Sequence, residues 1–261
     1  MRSNSFFLSL FLMLCLGCGA PEPDNRSIAL FDGSSLTGWH TNPEPIGHGT
    51  GGRWSAEDGA IVGEQDPPGS GNGGILLTDQ KFGDFELTIQ MKPDWGVCSG
   101  VFVRGNDQGK CLQMMVDYHD KGNIGHIYGE GTGGFNNRPF DINGLYDANQ
   151  ELIGFTSQSL DTPFSQDYTI TPESWIKAWK KNDWNTARLR VVGNPPKITT
   201  WINEVKVSNF DGSTFEHPRY DRNKVAQELG PEGRIAVQVH GGKGWPEGAK
   251  CRWRNIQVTL L

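Results

Sequence analysis

The sequence has 261 residues, with 24 Lys and Arg against 30 Asp and Glu and a formal net charge of −6. The charges are dispersed and form no basic stripe, which argues against a nucleic-acid partner. Glycine is abundant, at 35 residues, and helical periodicity is nearly absent, so the chain reads as many strands joined by many turns.

Met1 to Gly17 reads as an export signal rather than as part of the fold. Arg2 is its only charge, and Phe6 to Leu16 is apolar but for Ser9. Such a run is too short for a resident membrane helix. It ends in Cys15-Leu16-Gly17-Cys18. A small residue directly before a cysteine resembles a bacterial lipoprotein cleavage site. Cys18 would then carry lipid and tether an exported protein to a membrane of the cell envelope, on the periplasmic or outer surface. The alternative is an ordinary signal with a soluble product. Residues 18–27 read as a short tether. From residue 28 to 261 no composition break, repeat or linker divides the chain, so one all-β domain is expected. Once Cys15 is removed and Cys18 lipidated, Cys98, Cys111 and Cys251 remain, either as one disulfide plus a thiol or as three buried thiols. No Cys-x-x-Cys or Cys/His spacing suggests zinc.

The domain opens with a turn on Asp32-Gly33 and a buried Trp39. Residues 54–63 read as a hairpin about Asp58-Gly59, and 66–74 as a Gly/Pro-rich loop. In 84–92 Phe85, Leu87, Ile89 and Met91 share one face, and Glu86 lies on the other. That period of two marks a half-buried strand. In 99–104 Val101 and Val103 oppose Phe102 and Arg104. Pro93, Asp94 and Gly96 supply turn chemistry between them. An antiparallel pair at the middle of a sheet is expected, its polar face carrying Glu86 and Arg104. In the next strand, 111–118, Leu112, Met114 and Val116 oppose Cys111, Gln113, Met115 and Asp117. Residues 124–130 follow closely. Residues 131–174 lack periodicity and are expected to form functional loops. Strands at 188–192 and 198–203 turn at Asn194-Pro195-Pro196, and 205–207 follows. Asp221 to Leu229 is the best helix candidate, ended by Gly230-Pro231. In 234–240 Ile235, Val237 and Val239 point inward while Ala236, Gln238 and His240 point outward. Residues 252–260 form the last strand.

Alternation thus places Glu86, Arg104, Gln113, Asp117, Gln238 and His240 off the core. If the polar faces of the central strands line one concave groove, these residues share it. Tyr128, Glu130 and His126 lie in the adjoining strand, and Trp184 offers a stacking face. Planar hydrogen-bonders beside an aromatic platform compose a sugar site. The bland readings stand beside it: Arg104 as a structural partner of Glu86, Trp184 as core, His240 as a surface residue. The glycine run at 129–134 lacks the lysine and helix of a phosphate loop.

The pieces FDGSSLTGW, WSAEDGAIVGE, GGILLTDQKFGDFELTIQMK, SGVFVRG, IYGE, DWNTARLRVVG, TTWINEVKV and GRIAVQVHGG with WRNIQV occur in order across nearly the whole chain. In these the sequence resembles the 3-keto-disaccharide hydrolase domain family, common in exported bacterial proteins. Cys111, two residues before Gln113, and Val239, directly before His240, depart from the family pattern. The resemblance implies a concanavalin-like, lectin-like jelly roll of two packed antiparallel sheets. It also implies cleavage of the glycosidic bond of sugars oxidised to a ketone at C3, by hydrolysis or elimination, with a sugar 3-dehydrogenase acting upstream. On that chemistry His240 or Asp117 is the expected base and Glu130 or Tyr128 the acid. Arg104 or a divalent cation would lie at the enolate oxygen. Glu86, Gln113, His126, Trp184 and Gln238 would then contact the sugar. A metal would be held by Asp117, Glu130, Gln113 and His240. The rival reading is a lectin-like module that binds carbohydrate without chemistry.

Overall fold

The computed structural model describes residues 27–261; the expected export signal, Cys18 and most of the expected tether lie outside the described residues. In chain order the strands are β1 (Ser27–Ala29), β2 (Trp39–Thr41), β3 (Arg53–Glu57), β4 (Ala60–Glu64), β5 (Gly74–Phe82), β6 (Phe85–Pro93), β7 (Val97–Gly105), β8 (Cys111–Tyr118), β9 (Ile124–Glu130), β10 (Phe140–Tyr146), β11 (Leu152–Ser159), β12 (Asn185–Val192), β13 (Lys197–Ile202), β14 (Val205–Asp211), β15 (Gly233–Val239) and β16 (Cys251–Leu260). Two short helices, α1 (Pro172–Ala178) and α2 (Arg222–Leu229), interrupt them.

The strands build an antiparallel jelly roll of two sheets. The back sheet runs β14-β13-β12-β6-β16-β4-β3, with β1 also paired to β16. The front sheet runs β2-β5-β15-β7-β8-β9. Their facing sides supply one core. Phe85, Leu87, Ile89 and Met91 of β6 meet Val101, Val103, Leu112, Met114, Ile235 and Val237 of the front sheet there. Burying such side chains is the main favourable term in the fold. The outward positions of β6, from Glu86 to Lys92, are only half-buried, as alternation requires.

β6 and β7 are not a pair. β6 lies between β12 and β16 in one sheet, and β7 between β15 and β8 in the other. The Pro93-to-Gly96 segment crosses between the layers, carrying Gly96 at φ +102°, instead of closing a hairpin. Glu86 therefore faces outward from the back sheet and pairs with Arg188 at 3.2 Å. Other expectations meet the structure directly. The hairpin at Asp58-Gly59 joins β3 to β4. α2 starts at an Asp221 cap and ends at Gly230. The stretch 131–174, by contrast, is not mainly loop. It holds the β10–β11 hairpin and leads into α1, capped by the Thr171 hydroxyl. Cys98, Cys111 and Cys251 are all free thiols.

The outer side of the front sheet has two zones. At one, Ile75, Leu77, Phe102, Cys111 and Ala236 form an apolar floor under Ile46 of the loop after β2. The other zone is polar and open.

Candidate active site

Cross-strand register assembles the polar zone. β7 and β8 set Cys98 opposite Asp117, Gly100 opposite Met115 and Phe102 opposite Gln113. β8 and β9 set Gln113 opposite Tyr128 and Cys111 opposite Glu130. On the other flank β15 contributes Gln238. Because strand side chains alternate, these residues share the face opposite the core. On this face opens a cleft of about 220 Å³, lined by Cys98, Gln113, Met115, Asp117, Tyr128, Glu130, Asn136, Arg138 and His240. A wider trough of about 520 Å³ continues past Cys98 and His240 to His119, Lys243 and Trp95.

A chain of amides fixes the floor. The Gln113 amide donates to the Ser99 carbonyl at 3.1 Å and to Gln238 Oε1 at 3.1 Å. Gln238 Nε2 lies 2.9 Å from His48 Nε2. Only a glycine at 100 permits this, since a Cβ there would collide with the Gln113 amide. The Gln238 amide donates, so His48 Nε2 accepts and its proton sits on Nδ1, which is buried without a partner. His48 Nε2 also lies 3.7 Å from Glu130 Oε2. Its ring stands edge-on to His240, with centroids 4.6 Å apart. Gly241 lets the His48 backbone approach, because a Cβ at 241 would strike the His48 carbonyl.

His240 follows β15 and lines both cavities. Its Nδ1 bonds the Gly241 carbonyl. A carbonyl only accepts, so Nδ1 carries the proton and Nε2 keeps its lone pair. Burial, and next the neighbouring His48, hold the His240 pKa below the ordinary imidazole value, which keeps the ring neutral at pH 7. Burial raises the Asp117 carboxyl, against the hydrogen bond it accepts from Cys98 Sγ at 3.2 Å. Burial, then Glu130, raise the Tyr128 phenol and keep it protonated. Arg138 brings the guanidinium of this cleft and pairs with Asp141 at 3.4 Å.

Of the residues expected to converge, Gln113, Asp117, Tyr128, Glu130, Gln238 and His240 gather here. Four do not. Arg104 has φ +55° at the end of β7. That twist turns its fully buried side chain away from the cleft onto the Phe82, Gly83 and Gly193 carbonyls and Asp84. Glu86 belongs to the other sheet. Trp184 also lies on the back sheet, stacked under Arg254 at 4.0 Å. His126 is completely buried between Asn123 and Thr169. Nor do Asp117, Glu130 and His240 bring ligand atoms within reach of one ion: among the described residues that grouping is Cys98, Asp117 and His119. Sequence reasoning missed His48, Asn136 and Arg138. The pattern Gly47-His48-Gly49 was the available signal for the first, a histidine bracketed by glycines; the other two sit in an aperiodic stretch.

The two packed sheets define a sandwich of the concanavalin-like jelly-roll type, with a polar cleft on its front sheet. Residues 26–259 match the model of the 3-keto-alpha-glucoside-1,2-lyase-like domain, and the chain belongs to that family. Among solved structures it resembles two proteins from Parabacteroides distasonis ATCC 8503, each named provisionally as a glycosyl hydrolase. One is 23% identical, covering 91% of this chain and 100% of that one with a TM-score of 0.53. The other is 14% identical, covering 90% and 94% with a TM-score of 0.50. Both show the shared fold. No curated protein matches the sequence significantly.

Proposed function

We propose that the cleft cleaves the glycosidic bond of 3-keto-glycosides by elimination. One observation carries the reading: a neutral imidazole with a free Nε2, a carboxylate, a phenol and a guanidinium line a single cleft. A ketone at C3 acidifies the hydrogen on C2. His240 Nε2 takes that proton as the C2–H electrons form the enolate. The enolate oxygen takes up negative charge, for which Arg138 is the available cation in place of Arg104. The enolate electrons then expel the C1 substituent. Glu130 or Tyr128 gives that leaving oxygen a proton. The products are the free aglycone and an unsaturated 3-keto sugar, and water adding across its double bond completes a net hydrolysis. Asp117, engaged by the Cys98 thiol, is less suited than His240 to be the base. An enzyme class that oxidises the C3 hydroxyl must supply the substrate.

Incubation with a 3-keto-glucoside should release the aglycone, whereas the unoxidised glucoside should stay intact. His240→Ala should lower turnover about 10²-fold or more, the usual worth of a placed general base, with little change in melting temperature. Binding of the keto sugar without release would make the protein a lectin-like module instead.

A further inference from the structure

We propose that Cys98, Asp117 and His119 form a zinc site on the wall of the cleft, with its fourth position open to the cavity. The strand register makes the juxtaposition. Cys98 and Asp117 are direct cross-strand partners in β7 and β8, and their side chains meet at 3.2 Å. His119 follows two residues later, and one ligand atom from each of the three lies within 4.8 Å of the others. The third group has one ring nitrogen free to bind. Its Nδ1–H donates to the Asp120 carbonyl at 2.8 Å, which fixes the tautomer and leaves Nε2 with its lone pair.

Zinc bonds of about 2.0–2.3 Å place tetrahedral ligand atoms roughly 3.5 Å apart. The Cys98–Asp117 pair already stands at 3.2 Å, and all three groups lie within 4.8 Å of one another. A thiolate, an imidazole and a carboxylate make a mixed donor set that zinc accepts and that magnesium and calcium do not prefer. Three protein ligands with one open position is the arrangement of a catalytic zinc. Cys98 lines both the cleft and the trough, Asp117 the first and His119 the second, so the open position faces the channel that His240 also lines. As the Zn–S bond forms, the thiol proton leaves to solvent. The site is argued from ligand geometry alone and does not depend on the elimination reading.

Cobalt, a spectroscopic stand-in for zinc, tests it on the purified full-length protein. One equivalent of Co²⁺ should give a thiolate-to-cobalt charge-transfer band in the near ultraviolet, and added Zn²⁺ should abolish it. Cys98→Ser should remove the band while the far-ultraviolet circular dichroism stays unchanged. His119→Ala, an independent surface change, should weaken zinc binding on the order of 100-fold in chelator competition. Absence of the band, or a band that survives Cys98→Ser, overturns the site. So does zinc affinity unchanged in His119→Ala. Aglycone release with and without zinc is a separate measurement, so loss of the elimination reading leaves this result intact.

Discussion

Neutral imidazole suits the place that His126 occupies. Nδ1 donates to Asn123 Oδ1 at 2.9 Å and Nε2 accepts from the Thr169 hydroxyl at 2.8 Å. Both nitrogens are satisfied without a charge, and Phe140 packs edge-on at 5.6 Å. Burial lowers the pKa from 6.5 to about 3. The unfolded chain therefore binds a proton between these values that the native chain refuses. The stability from this residue is whole above the unfolded pKa and drains away as pH falls toward 3, by at most about 1.4 kcal/mol per pH unit. His126→Gln keeps a donor and an acceptor but cannot titrate. Urea unfolding at pH 7, 5 and 4 should show a flatter acid limb for the variant, and parallel curves would contradict the assignment. The same imidazole chemistry reads differently at His240, where Nε2 opens on a cavity instead of on a threonine. Sequence alone gives two histidines beside polar strands; the partner of the second nitrogen separates structure from function.

At the scale of elements, Arg104 ties a corner together. Its guanidinium accepts no bond and donates to the β5–β6 turn at Phe82 and Gly83, to Asp84 at 3.0 Å, and to Gly193 of the β12–β13 turn at 3.2 Å. One side chain thus joins the end of a front-sheet strand to two turns that edge the back sheet. Arg104→Met should strand these carbonyls and cost about 2–3 kcal/mol, lowering the melting temperature by roughly 5–10 °C. Aglycone release measured below that temperature should be unaffected, because the residue lies outside the cleft. Arg104→Lys should rescue little, since a single ammonium cannot span the forked acceptors. A melting temperature equal to wild type would remove this role. Here the limits of reading a strand pattern become physical. Alternation is written locally, so the faces of β6, β8 and β15 were legible, and Gln113, Asp117, Gln238 and His240 with them. Which strands pair is decided by contacts distant in sequence. Hence β6 and β7 read as a hairpin although they lie in opposite sheets, and Glu86 and Arg104 were assigned to the wrong surface. The Cys98–Asp117 contact has no sequence spacing at all, because a cross-strand register creates it.

For the whole molecule, the position of β16 governs how the sandwich comes into being. The last strand is an interior member of the back sheet, with β6 on one side and β4 on the other. Arg188 meets Glu86 across 102 residues, and Arg254 meets Gln90 across 164. Closing such long loops precedes any reward from pairing, so assembly is slow and non-local. A chain emerging N-terminus first holds β4 and β6 with an unfilled slot between them until β16 is free to enter it. The back sheet therefore closes only once β16 is available to pair with both neighbours, and strands left open until then are prone to aggregate. Removing residues 251–261 should leave no cooperative unfolding transition and a protease-sensitive, aggregating chain. A truncated chain that still melted in a single sharp step would show that the back sheet can close without this interior strand.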